Sequence, residues 1–155
     1  MDVHDKKIRS RNMKAIRSRD TKPELLVRKL LHNNGYRYRI APAKLSGKPD
    51  IWLRKWNSAI FINGCFWHGH ECEFFRLPKT RTEFWKEKIG KNKLRDVTNR
   101  QELRFEGLRV LTIWECALKG KGKLSETMLL TLIKTWLMCN ESEAEITSEG
   151  LLVRR

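Results

Sequence analysis

The residues of this 155-residue chain that could do chemistry crowd into residues 60–72, Ile-Phe-Ile-Asn-Gly-Cys-Phe-Trp-His-Gly-His-Glu-Cys. Sulfur and imidazole together suit a borderline-soft cation such as Zn²⁺, and Cys65, His70 and Cys72 supply three such donors. A tetrahedral site needs a fourth. Cys116, directly after the apolar run 108–114, is the stronger candidate, with Cys139 as the alternative. His68 lies among the ligand candidates, and an imidazole is a side chain suited to general-base work. Spacing alone leaves open which of His68 and His70 is the ligand. Asp50, at the start of an apolar run after Pro49, is the carboxylate best placed to hold a hard cation such as Mg²⁺ and leave room for water and phosphate. Glu24 could add an outer contact. A cation held by oxygen beside an imidazole base is what phosphodiester hydrolysis requires: neutralised charge and an activated water.

Simple local signals position these groups. Residues 50–53 and 59–62 read as strands joined by a turn at 55–58, a hairpin that brings Asp50 level with the start of the Cys/His loop at Gly64. Upstream, Thr21-Lys-Pro-Glu24 opens a helix with Thr21 as N-cap, Pro23 in the first turn and Glu24 where a capping box wants a carboxylate. Glu24 thus has a full structural role before any catalytic one. Leu25, Leu26, Leu30 and Leu31 form this helix's apolar face, and Gly35 suits the position past its end. Residues 36–40 alternate with period two, placing Tyr36, Tyr38 and Ile40 inward. A long helix follows over 80–106, with Trp85, Ile89 and Leu94 on one side and Lys and Arg over the remainder. Residues 108–114 then read as a central strand. Residues 125–137 close the fold as a helix capped by Ser125, with Met128, Leu129, Leu132, Ile133 and Trp136 apolar. The expected organisation is a basic DNA-contacting arm at 1–19, a domain at 20–137 and a mostly acidic C-terminal tail at 138–155. The element order predicts an α/β fold, a mixed sheet flanked by helices.

A composition of 40% apolar and 33% charged residues fits one globular domain. The formal net charge of +15, spread along the chain, calls for a polyanionic partner, and nucleic acid leads. No long apolar span or signal peptide is visible, so a cytoplasmic setting is expected, where clustered Cys and His read as metal ligands and not disulfides.

The motifs Asp2-Val-His-Asp5, Thr21–Glu24, Gly47-Lys-Pro-Asp50, Gly64-Cys-Phe-Trp-His68, the run from Thr80 to Asn92 and Trp114-Glu-Cys-Ala117 occur in one order. Together they resemble the very-short-patch-repair (Vsr) DNA mismatch endonucleases, over residues 1 to about 137. The resemblance implies a restriction-endonuclease-like mixed sheet with a structural zinc. It also implies an activity that nicks duplex DNA 5′ to the thymine of a T·G mismatch, the product of 5-methylcytosine deamination. By the same resemblance Asp50 and the main-chain carbonyl of Ile62 hold Mg²⁺, His68 is catalytic, and Glu24 supports water at the metal. Cys65, His70, Cys72 and Cys116 hold zinc, which resolves the choice between the histidines. Phe66, Trp67 and Trp85 wedge into the base stack. Asn63 stands where the best-known member has a histidine; an amide donates a hydrogen bond to phosphate but carries no charge. Expected partners are double-stranded DNA with a T·G mismatch, functional association with a cytosine-5 DNA methyltransferase and a mismatch-repair protein. The protein is expected to be a monomer in the bacterial cytoplasm, at the nucleoid during repair.

The wedge has its own physical logic, because inserting flat rings costs less where stacking is already weakened by a mismatch. Core packing is the competing role for these aromatics, most of all for Trp85 on its helix. The rival function is a non-catalytic zinc-containing DNA-binding protein, which would have no use for Asp50 and His68 as a pair. A general duplex nuclease is a third reading, disfavoured by the wedge. The Glu-x-Lys of many endonucleases is replaced here by Phe61-Ile-Asn63, so the base would be His68 and not a lysine.

Overall fold

The computed structural model describes residues 21–154, so the basic arm expected at 1–19 lies outside the described residues. Among the described residues, three α-helices flank a six-stranded mixed sheet, the α/β arrangement expected from sequence. Helix α1 spans Lys22–Asn33, and strands β1 (Arg39–Ile40), β2 (Ile51–Leu53) and β3 (Ser58–Asn63) follow. The long α2 (Thr82–Phe105) crosses to β4 (Arg109–Trp114), and α3 (Glu126–Met138) leads to β5 (Glu143–Thr147) and β6 (Gly150–Val153). The strands lie side by side in chain order; β3, β4 and β5 are parallel, and the outer pairings are antiparallel.

Strand alternation divides the molecule into two packed layers. Ile60, Ile62, Leu111, Ile113, Ala144 and Ile146 point to the face covered by α1 and α3, where Val27, Leu31, Leu129, Ile133 and Trp136 complete the main core. Ala59 and Val110 point to the other face, where Leu103 of α2, Leu45 and Leu108 form a smaller cluster. The polar residues Asn63 and Thr112 share the parity of that second face, so the α2 side is where buried polar groups can meet.

Several expectations change in the fold. Thr21 occupies the N-cap of α1, yet its side chain makes no cap hydrogen bond, and Leu25 is exposed while Val27 carries the buried face. The strand expected over 36–40 shortens to Arg39–Ile40; Tyr36 and Tyr38 pack on the core from irregular backbone, and Ile40 faces out on the sheet edge. Leu94 and Met128 are exposed because their helices turn other side chains inward: Ile89 and Leu103 in α2, Leu129 and Ile133 in α3. The Ser125 cap forms as expected, its Oγ accepting the Met128 N–H at 3.1 Å.

The largest change concerns residues 138–155, expected as a tail, which supply β5 and β6. Their acids are not a solvated run. Glu143 and Glu145 face the α2 side, where Glu143 meets Arg154, Arg100 and Arg104 at 3.2, 3.7 and 3.9 Å, and Glu145 pairs with Arg154. Ala144 and Ile146 fill the opposite face. Arg109 closes the C-terminal end of α3, donating to the carbonyls of Trp136, Leu137, Cys139 and Glu141, with its guanidinium 4.1 Å from the Trp136 ring centre. No helix among the described residues is long and apolar enough to cross a membrane.

Candidate active site and metal centre

The β2–β3 hairpin forms in the expected register, Ile51 opposite Ile60. Its consequence is direct: the Asp50 carboxylate accepts the main-chain N–H of Ile62 at 2.6 Å, pinned to the end of β3. Burial raises the Asp50 carboxyl from an ordinary 3.8 to about 6, against the Ile62 hydrogen bond, and the negative charge of Glu24 adds to the rise. Glu24 is itself buried and receives the Arg28 guanidinium at 3.1 Å, one turn along α1. Two carboxylates therefore converge in a partly desolvated place, an arrangement that a cation relieves.

From Gly64 the chain coils tightly, with the His68 N–H on the Gly64 carbonyl and the His70 N–H on the Cys65 carbonyl. Gly69 adopts φ +64° in this coil, and a Cβ there would meet Ile89 and Lys93 of α2 at 2.8 and 2.6 Å. The loop is thus pressed against α2. One product of that contact is a short hydrogen bond between His68 Nδ1 and Asp96 Oδ2, 2.6 Å. Asp96 was not singled out in the sequence; its only signal is that it is the sole carboxylate between Glu87 and Glu102 in a basic helix. Asn92, one turn before it, donates to the Trp67 carbonyl at 2.9 Å and fixes the peptide leading into His68. Asp50, Glu24, Ile62, Asn63, His68 and Asp96 line one open cleft of about 600 Å³.

On the other side of the loop, the donor atoms of Cys65, His70, Cys72 and Cys116 all lie within 4.8 Å of one another. His70 Nδ1 stands 3.5 Å from Cys65 Sγ and 3.8 Å from Cys116 Sγ. A tetrahedron with metal–ligand bonds of about 2.0–2.3 Å has edges of about 3.3–3.8 Å, so these two separations fit a tetrahedral cation. Main-chain N–H groups support the sulfurs, Phe74 to Cys72 at 3.4 Å, Cys116 to Cys65 and Ser148 to Cys116. The Ser148 contact comes from the turn between β5 and β6, so the segment expected as a tail packs against the Cys/His cluster. Burial pushes the Cys65 and Cys116 thiols up and the His70 imidazole down, so the histidine is kept neutral, as a ligand must be. Trp114 stacks on His70 at 4.3 Å, with 10° between the planes. Cys139 lies apart, at the end of α3 with its thiol on the Trp136 carbonyl.

The three expected wedge aromatics do come together. Phe66, Trp67 and Trp85 have ring centres 5.3–5.8 Å apart, and Trp67 is 38% exposed. Phe84, which sequence reasoning passed over, joins them 5.3 Å from Trp85 and is more exposed still.

A mixed α/β sheet with a carboxylate beside the end of β3, a histidine–aspartate pair between the following loop and α2, and a Cys/His cluster that could hold a metal is an arrangement compatible with a nuclease-type site on a basic protein. A family model described as DNA mismatch endonuclease Vsr matches residues 1–74. The chain is 45% identical over 150 residues to the DNA mismatch endonuclease Vsr of Escherichia coli K12, covering 97% of this chain and 96% of that protein. It is 46% identical over 127 residues to the type II nicking enzyme V.NmeAIP of Neisseria meningitidis, covering 82% and 91%. Against the type II nicking enzyme V.XorIIP of Xanthomonas oryzae the identity is 44% over 112 residues, 72% of this chain and 82% of that one. The chain belongs to the Vsr family of DNA mismatch endonucleases. It is a DNA endonuclease, and that family implies a divalent metal.

Proposed function

We propose that this protein nicks one strand of duplex DNA on the 5′ side of the thymine in a T·G mismatch, starting very short patch repair. The observation that carries the reading is the His68–Asp96 hydrogen bond, formed in the same cleft as the Asp50 and Glu24 carboxylates. A DNA-binding module without catalysis would have no reason to hold an imidazole in that orientation beside desolvated acids.

Asp50 and the main-chain carbonyl of Ile62 would hold Mg²⁺. In an extended strand the N–H and C=O of one residue lie on the same edge, and the Ile62 N–H already faces Asp50. Mg²⁺ so bound would neutralise charge on the phosphate and acidify nearby water. The Asp96 carboxylate accepts a hydrogen bond from the N–H at His68 Nδ1, which keeps the proton on that nitrogen and leaves Nε2 free as the base. A proton passes from water to Nε2, the water oxygen forms a bond to phosphorus, and one P–O bond breaks with its electrons leaving on the departing oxygen. Glu24 orients that water, and Asn63 donates a hydrogen bond to the phosphate. Zn²⁺ at Cys65, His70, Cys72 and Cys116 would hold the loop that carries His68. Phe66, Trp67 and Trp85 form the wedge that tests the stack at the mismatch. The protein acts as a monomer, one active site sufficing for one nick, in the cytoplasm beside a cytosine-5 DNA methyltransferase and with a mismatch-repair protein.

The test is a pair of duplexes with T·G or C·G at one position and the thymine strand labelled, each with Mg²⁺ and with EDTA. The expected result is one Mg²⁺-dependent cut 5′ to the mismatched thymine and none in the C·G duplex. Binding without a cut would support the non-catalytic reading, and equal cutting of both duplexes a general nuclease.

A further inference from the structure

The active-site cleft holds two cations that the chemistry above does not use. Lys48 and Arg95 line it together with Asp50 and His68. Among the described residues the nearby acids have other partners: Glu24 pairs with Arg28 and Asp96 with His68, while no ion pair engages Lys48 or Arg95. At the end of β3, Phe61, Ile62 and Asn63 line this cleft, and none of these side chains carries a charge.

The backbone around Lys48 is unusual. Gly47 has φ +75° and Lys48 φ +46°, so two successive residues lie in the left-handed region immediately before Pro49 and Asp50. Glycine or asparagine would adopt this conformation with less strain than lysine, and strain of this kind gathers where a side chain is needed in a fixed place. The turn is also held against α2: a Cβ on Gly47 would meet the Asn99 side chain at 2.7 Å. Arg95 precedes Asn99 by one helical turn and therefore shares its face, the one turned toward the Gly47–Lys48 turn. One cation thus rises from the loop before Asp50 and the other from the helix that carries Asp96.

Resting on the endonuclease reading above, we propose that Lys48, from the loop before Asp50, and Arg95, from α2, grip the phosphate at the cut together and stabilise the charge that builds on it during hydrolysis. Two unpaired cations facing one cleft repel each other until an anion lies between them, and a phosphodiester brings the matching charge with several acceptor oxygens. Both side chains are exposed in the free protein, so their charge counts most once bound DNA covers the cleft and excludes water from it.

The test compares Lys48→Gln, Lys48→Arg and Arg95→Gln with the wild type in single-turnover nicking and in equilibrium binding to a T·G duplex, with thermal unfolding as a check on the fold. A second duplex carries an uncharged methylphosphonate at the cut position, and a third carries it one nucleotide away. Lys48→Gln and Arg95→Gln are expected to slow nicking by about 100-fold. DNA affinity should fall less than about tenfold, Tm should hold, and Lys48→Arg should restore much of the rate. The methylphosphonate at the cut should weaken wild-type binding but add little to the loss in the Gln variants; one nucleotide away it should weaken all of them alike. Nicking within about threefold of wild type in both Gln variants, or an undiminished methylphosphonate penalty in them, would overturn the proposal. If the wild-type protein does not nick a T·G duplex at all, the endonuclease reading falls, and the binding comparison still decides whether the two cations hold this phosphate.

Discussion

His68 Nδ1 and Asp96 Oδ2, 28 residues apart in sequence, meet at 2.6 Å where the Cys/His loop presses on α2. The contact links the loop of the Cys/His cluster to the helix lined with cations. In the proposed mechanism this contact would make His68 an oriented base, because a carboxylate on one ring nitrogen sets which nitrogen remains to accept a proton.

Asp96→Asn should therefore cut the single-turnover nicking rate by about 10²–10⁴-fold while DNA affinity stays near that of the wild type, the signature of a lost tautomer and not a lost surface. His68→Ala should abolish nicking and also spare binding. Gel-shift and nicking assays on one labelled T·G duplex separate the two effects; a parallel loss of binding and Tm in both variants would make the pair structural.

Asp50 carries a cost to the metal-free fold. Its carboxyl is raised to about 6 from 3.8, mainly by burial, so the folded state keeps a proton that the unfolded state loses between those values. Stability of the metal-free protein should fall as pH rises through that window, with the full penalty, up to about 3 kcal/mol, present above pH 6. Asp50→Asn should remove it: urea unfolding in EDTA at pH 8 should show the variant more stable than the wild type, by roughly 1–3 kcal/mol. The same variant should lose Mg²⁺-dependent nicking. A variant less stable at pH 8 would mean that the side chain contributes to the fold in its charged form.

Cys116→Ser removes one donor from the four-atom cluster. Zinc content should drop from one per chain to well below one after dialysis, and Tm should fall by roughly 10 °C. Cys139→Ser, away from the cluster, should retain the metal. Unchanged zinc in Cys116→Ser would refute the ligand assignment.

Trp67→Ala should act on discrimination. Its ring belongs to the aromatic group with Phe66 and Trp85 but is 38% exposed, so little core is lost with it. Affinity for a T·G duplex should fall by about 10–100-fold, the worth of one stacked base, with a smaller change on C·G. Equal losses on both duplexes would make Trp67 a general contact and not part of a mismatch wedge.

Much of the site was legible in the chain itself, because the relevant neighbours are close in sequence or joined by one turn. The hairpin register follows from two short apolar runs around residues 55–58, and it alone brings Asp50 to Ile62. Three of the four cluster donors fall within residues 65–72, and Cys116 follows the strand that pairs with β3. What the chain could not display were contacts across layers. Asp96 looks like any helix acid until Gly69 lets the loop close on α2. Residues 143–147 look like an acidic tail because their charges dominate; only when Glu143 and Glu145 find Arg100, Arg104 and Arg154 can Ala144 and Ile146 enter the core and the segment become a strand. Sequence determined the donors and the local turns, since spacing and backbone preference act over a few residues. Tertiary structure decided which acid faces His68 and which charges are buried, since burying a charge is tolerable only when its partner, from a distant element, is already in place.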